Sequence, residues 1–188
     1  MKNLFFVVLV AFLVSGCTYK NEAVNLHAYK ADYTGPISQL RKSIYIELVN
    51  DTRNDTRSIG SVVEKGEKIA TLYSNENFAE KYKEGLGYAL NMAGFKTATS
   101  PDEAALVMEV YIRDIKVLYN DKSFDENLKG SIEVDVKIKS GEYVSTQNFR
   151  QKAGKWTAPS YSSKDLEPFL YSLFSDSIND IVSRVTRY

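Results

Sequence analysis

Residues 128–138 read Leu128-Lys129-Gly130-Ser131-Ile132-Glu133-Val134-Asp135-Val136-Lys137-Ile138, and the fold follows from this stretch. Leu128, Ile132, Val134, Val136 and Ile138 share one parity; Ser131, Glu133, Asp135 and Lys137 share the other. Alternation with period two predicts a β-strand with one face in the core and one in water. A wet face argues for an antiparallel sheet, because parallel sheets are covered on both sides. Ser140-Gly141 then signals a hairpin, and residues 143–151 return as the next strand.

Working toward the N-terminus, residues 104–119 form a second long strand. Leu106, Met108, Val110 and Ile112 occupy even positions, but Ile115, Val117 and Tyr119 occupy odd ones. One extra residue restores the inward face, so a β-bulge is predicted near Arg113-Asp114. Residues 43–49 alternate, with Ile44, Ile46 and Leu48 on one face; residues 69–73 and 95–99 are shorter strand candidates, and 37–40 a weaker one. The polar stretch from Asn50 to Gly66 reads as a long loop.

Two helices complete the pattern. In residues 76–93, Phe78, Tyr82, Leu86, Ala89, Leu90 and Ala93 share a face. Ser74 or Asn75 can cap this helix and Gly94 stands at C′. Gly85 and Gly87 each cost about 1 kcal/mol inside it, so a close packing contact is expected there. The second helix starts near 163–165 and carries a broad stripe from Leu166 through Phe169, Leu173, Phe174 and Ile178 to Val185. The predicted fold is α+β: a two-layer sandwich, a mainly antiparallel sheet with two main helices packed on one face.

The N-terminus is an address. Lys2 precedes ten unbroken apolar residues, 4–13, which suit a signal peptide and are too short to span a bilayer. Val14-Ser15-Gly16-Cys17 follows and resembles a lipobox. That resemblance implies cleavage between Gly16 and Cys17, diacylglycerol on the Cys17 sulfur and acylation of the new N-terminus. Several acyl chains anchor a protein stably. No later segment is a candidate span, so the expected membrane attachment is lipid alone. Thr18 rather than Asp favours the outer membrane by the enterobacterial sorting pattern. The expected organisation is a signal peptide at 1–16, a lipidated N-terminus and tether at 17–42, and one globular domain at 43–188.

Composition narrows the chemistry. Lys plus Arg and Asp plus Glu each number 24, without the basic footprint of a nucleic-acid binder. There is a single cysteine, Cys17, and a single histidine, His27. A metal site or a His-dependent nucleophile would need more than these two positions provide. No cofactor, metal or catalytic residue is therefore predicted. Gly60 and Gly66 lack the Lys-Ser/Thr ending of a phosphate loop, and Asp125-Glu126 has no feature marking a cleft.

Two features remain as candidate partner contacts. The first is a doubled Asp-Thr-Arg, with Asp51, Arg53, Asp55 and Arg57, directly after a strand. Its charges can make bidentate pairs with a partner, or pair with each other in an Asx-rich turn. The second is Trp156 in a Gly/Pro-bounded loop, which can anchor a partner or cap the edge of the core.

With these elements placed, residues 43–186 resemble the YajG family of bacterial lipoproteins. The likeness rests on order and spacing: Val49-Asn50-Asp51-Thr52-Arg53, then Ile59-Gly60, Ala93-Gly94-Phe95, Ala105-Leu106-Val107, Gly130, and Phe169-Leu170 through Asp176, Ile178 and Ile181. The family has no assigned enzymatic activity, so the resemblance carries over no site. The lipobox, Thr18 and the lack of a catalytic residue set lead to the expectation of a lipid-anchored, non-catalytic envelope protein, on the outer membrane facing the periplasm and binding an envelope protein or the cell wall. A lipid- or lipopolysaccharide-handling assembly factor is the alternative, and would need an enclosed apolar cavity between helices and sheet.

Overall fold

The computed structural model describes residues 21–27, 29–120, 125–158 and 162–188; the leader, Gly16 and Cys17 lie outside them. Eight strands form one sheet: β1 (Glu22–Val24), β2 (Ser43–Asp51), β3 (Ser58–Glu64), β4 (Glu67–Ser74), β5 (Lys96–Thr97), β6 (Leu106–Asn120), β7 (Leu128–Ser140) and β8 (Tyr143–Lys155). Two helices, α1 (Phe78–Met92) and α2 (Ser163–Val185), pack on one face. The α+β two-layer sandwich expected from the pattern is the observed architecture.

β6 is the spine. Along one edge it pairs antiparallel with β7, which pairs antiparallel with β8. Its other edge is shared end to end by two strands, both parallel to it. β2 covers the first half, Ile44 opposite Leu106 to Asp51 opposite Ile112, and β3 covers the end, Gly60 opposite Val117 to Val63 opposite Asn120. β4 folds back on β3, β1 adds parallel to β4, and β5 adds parallel to β2. The two longest ladders, β6–β7 and β7–β8, are antiparallel, and the longest parallel one, β2–β6, is shorter than either.

The bulge in β6 falls where parity predicted it: Ile112 opposes Val134 and Asp114 opposes Glu133, with Arg113 as the extra residue. A second shift, in β2, was hidden by the apparent alternation. Leu48 opposes Glu109 and Val49 opposes Val110, so Val49 rather than Leu48 packs against the core. β3 corrects the long-loop expectation for 50–66. Its buried residues are Ile59 and Val62, three apart, because register shifts flank both ends of the strand and break period two. Gly60 lies at the first of these, where a Cβ would collide with the backbone of Val117 in the neighbouring strand.

The expected tether is also corrected. Val24 and Leu26 are fully buried, and Ala31 and Tyr33 nearly so. Polar ties hold the segment to α2: Asn25 N–H donates to Glu167 Oε1 at 3.0 Å, and Tyr171 Oη donates to the Asn25 carbonyl at 2.8 Å. So the folded domain reaches back at least to Glu22, rather than starting at 43. The proposed strand at 37–40 does not form, and Ile37 and Leu40 are exposed.

The core lies between sheet and helices. Phe174 of α2 stacks near Phe78, Tyr29 and Tyr82, at 4.5, 5.4 and 5.7 Å between ring centroids. The buried Tyr82 hydroxyl shares a 2.7 Å hydrogen bond with Ser177, which satisfies both groups. Gly85 has the close contact expected of it: a Cβ there would sit 2.8 Å from Tyr29 and 2.9 Å from Ile178. Gly87 has none, its nearest neighbour being Ile46 at 3.8 Å. Asn77, not Ser74 or Asn75, caps α1, and Gly94 takes φ +89° at its end.

Candidate functional site

The doubled Asp-Thr-Arg bridges the gap between β2 and β3 on the edge of β6. Its two copies differ in environment. In the first copy, Arg53 Nε and Nη2 form a fork on the Asp51 carboxylate, at 2.9 and 2.6 Å. Arg53 Nη1 donates to the Ser58 carbonyl at 2.5 Å and Nη2 to the Thr56 carbonyl at 2.9 Å. The guanidinium lies 5.5 Å from the Phe78 ring centroid, and the two side chains are only 8% and 6% exposed. Thr52 fastens the turn to the spine, since its N–H and Oγ1 both donate to the Ile112 carbonyl. This copy is an internal brace.

The second copy faces water. Asp55 Oδ1 accepts from the N–H groups of Arg57 and Ser58, both at 3.1 Å, in an Asx turn. Those two N–H groups, that of Ser58 foremost, hold the Asp55 carboxyl below the usual carboxylate range. Arg57 is exposed. It stands on the lip of a polar cleft of about 540 Å³ between this turn and the start of α1, lined by Asn50, Asp51, Arg57, Asn75, Glu76 and Asn77 among others. Asn77 Oδ1 already accepts from Ala79 and Glu80 N–H, so the helix start is capped from within. What the cleft offers is an arginine, a glutamate and amide groups on rigid elements, suited to charge-assisted hydrogen bonds with a polar partner.

Trp156 does not join this cleft. Asp51 is level with Ile112, whereas Trp156 follows Lys155, which is level with Leu128 and Tyr119. Seven residues of strand are about 23 Å, and β6 and β7 lie between as well. Trp156 is 55% exposed. Its backbone is pinned by a residue that sequence reasoning missed. The side-chain amide of the fully buried Asn127 donates to the Thr157 carbonyl and accepts from Thr157 N–H, each at 2.8 Å.

The wet sheet face is a charge lattice. Glu109 accepts from Lys139 at 2.8 Å, Lys137 at 2.9 Å and Tyr111 Oη at 2.6 Å, and these donors hold its carboxyl down to about 2. Arg113 pairs with Asp135 at 2.7 Å and Arg150 with Glu133 at 2.6 Å. His27 is exposed, 3.8 Å from Glu76. Among the described residues no three or more His, Cys, Asp or Glu side chains converge as metal ligands. Among the same residues no helix is long and apolar enough to cross a membrane.

Fold and surface together define a class: an α+β domain with helices on one sheet face and a charged, solvated sheet on the other. Residues 36–184 match the sequence profile of a family described as uncharacterized lipoprotein, and the chain belongs to that family. The membership agrees with the YajG-like resemblance and with association with the cell envelope. Among curated proteins none matches the sequence. Solved structures share the fold. Protein XCC0632 from Xanthomonas campestris, of the DUF330 family, aligns with a TM-score of 0.58 at 11% identity, over 88% of this chain and 92% of that one. Hypothetical protein CT253 from Chlamydia trachomatis aligns with a TM-score of 0.55 at 13% identity, over 79% and 97%.

Proposed function

We propose that the chain is a lipid-anchored envelope protein that works by binding a protein or cell-wall partner, without catalysis. In this reading the precursor is cut between Gly16 and Cys17, lipid on Cys17 holds the domain on a membrane, and Thr18 directs it to the outer membrane facing the periplasm. The observation that supports partner binding most is the asymmetry of the doubled Asp-Thr-Arg. The buried Asp51–Arg53 fork holds the turn rigid while Asp55 and Arg57 stand exposed beside a polar cleft. Exposed charges contribute little to folding, and preorganised ones favour binding. Binding through Asp51 and Arg53 themselves fits less well, because each is already engaged inside the turn.

The lipid-handling alternative fits poorly with the packing between helices and sheet. There Gly130 leaves no room for even a methyl group, since a Cβ would lie 2.7 Å from Phe169 and 2.8 Å from Leu173. Affinity capture from detergent-solubilised envelopes tests the binding reading. Arg57→Ala is expected to leave the melting temperature nearly unchanged and to weaken capture, by a margin that shrinks as salt rises and screens the wild-type contact. Equal capture at equal folded concentration would remove the cleft from consideration. Fatty-acid labelling tests the anchor separately: Cys17→Ala is expected to abolish label and leave an unprocessed precursor.

A further inference from the structure

We infer that one end of the sheet, carrying Trp156 and an unpaired lysine block on the wet face, rests on an anionic phospholipid surface. The inference rests on the lipid-anchor reading for Cys17. Its first support is where the chain enters the domain. β1 runs parallel to β4, with Glu22 opposite Leu72, and Asn21 Oδ1 accepts from Thr71 N–H at 2.9 Å. Traced backwards, the chain therefore heads toward the start of β4. That end of the sheet also holds the Lys65-Gly66 turn, the end of β6 at Asn120, the start of β7 at Leu128 and the end of β8 at Lys155. Because the folded domain reaches back to Glu22, only three residues, 18–20, lie between Cys17 and Asn21. The four Cα steps span at most about 14 Å. A lipid on Cys17 thus keeps this end close to the headgroups, where a 25-residue tether would have left the orientation free.

The second support is the chemistry found there. Lys116, Ser131 and Lys152 form one cross-strand row, and Leu118, Lys129 and Gly154 the next. These residues line a shallow depression of about 450 Å³ floored by small side chains. The three lysines are exposed and form no ion pair among the described residues, unlike the lattice around Glu109 and Asp135 further along the same face. Among the described residues, Glu126, whose carboxylate lies over Gly154, is the one acidic side chain lining the depression. Trp156, on backbone pinned by Asn127, follows β8 at the same end. Lysines facing phosphates and a tryptophan at headgroup depth are the combination that membrane surfaces favour.

The chain has a single tryptophan, so its fluorescence reports Trp156 directly. Two preparations separate this inference from the anchor reading. The first is the lipidated chain in phosphatidylethanolamine–phosphatidylglycerol vesicles with brominated acyl chains. The second is the mature chain with Cys17→Ser, added to the same vesicles or to phosphatidylcholine ones. We expect quenching of Trp156 in the first. In the second we expect salt-sensitive binding to the phosphatidylglycerol vesicles alone. Lys116→Gln, Lys129→Gln and Lys152→Gln together should lower that affinity on the order of 100-fold, with an unchanged melting temperature. Lipidated chain that floats with vesicles while Trp156 stays unquenched overturns the contact and leaves the anchor standing. Cys17 without acyl mass, beside a Cys17→Ser chain that still binds, removes the anchor and supports the contact. Equal binding to both vesicle types, or by the lysine variant, overturns it.

Discussion

Replacing Arg53 by Ala should unfold the domain much more readily than replacing Arg57, although the two arginines occupy equivalent places in a repeated tripeptide. Arg53→Ala deletes a two-pronged pair with Asp51 and strands the Asp51 carboxylate at 6% exposure. It also leaves the Ser58 and Thr56 carbonyls without their guanidinium donor and removes the cation over Phe78. Removing one partner of a buried ion pair costs about 3–5 kcal/mol, because the remaining charge is left desolvated. For a domain of this size each kcal/mol shifts the melting temperature by about 2–4 °C, so a fall on the order of 10 °C is expected. Arg57→Ala removes an exposed side chain and should stay within about 0.5 kcal/mol of wild type. Urea melts on both variants make the comparison. Asp51→Ala and the Asp51→Ala/Arg53→Ala double variant complete a cycle in which the double costs clearly less than the sum. Superimposable melts for Arg53→Ala and Arg57→Ala would refute the brace.

Other perturbations probe separate parts of the fold. Leu26→Asp places a charge at a fully buried site in the segment read from sequence as a tether, so the melting temperature should fall steeply; an unaffected melt would return residues 22–33 to the tether. Gly130→Val should cost about 1–3 kcal/mol in urea melts by overpacking against Phe169 and Leu173. The Glu109 carboxyl is held at about 2 instead of 4.5 by Lys139, Tyr111 and Lys137, so the stability it contributes is present above about pH 4.5 and is lost as pH falls toward 2. Glu109→Gln should therefore flatten the acid limb of a stability–pH curve in that window, and a limb of unchanged steepness would show that the lattice contributes nothing.

The strands that could be read from sequence are those whose neighbours kept their period. β7 alternates without interruption because both its ladders are regular on its own side, and the β6 bulge announced itself as a parity switch between Ile112 and Ile115. β3 was illegible because its buried residues, Ile59 and Val62, are spaced by three between two register shifts, a spacing that belongs to no strand template. Segment 22–33 was illegible for a different reason. It is mostly irregular, so Val24, Leu26, Ala31 and Tyr33 enter the core without any period, and only the fold supplies the surface that covers them. Of the candidate contacts, chemistry was legible and environment was not. The two Asp-Thr-Arg copies are identical in sequence, and only the position of Ser58 and Phe78 turns the first inward and leaves the second in water.

That difference follows from topology. Because β2 and β3 both run parallel to β6 on the same edge, the chain leaving Asp51 opposite Ile112 must rejoin the spine at Gly60 opposite Val117 without reversing direction. Only four residues of β6, 113–116, lie between those two points, while the connecting chain has eight residues, 52–59, to place there. The surplus has to leave the sheet as a turn whose peptide groups no ladder can satisfy, and such groups are costly unless hydrogen-bonded. Arg53 supplies donors to two of its carbonyls, Thr52 ties its base to Ile112, and Asp55 accepts from two of its N–H groups. An Asx turn and an arginine fork together thus hold an excursion that the parallel edge makes unavoidable. Arg57 and the Asp55 side chain are carried outward as its consequence. A residue exposed on a turn that is rigid for structural reasons loses little further freedom on contact with a partner, which is why the second copy, and not the first, is where binding should be sought.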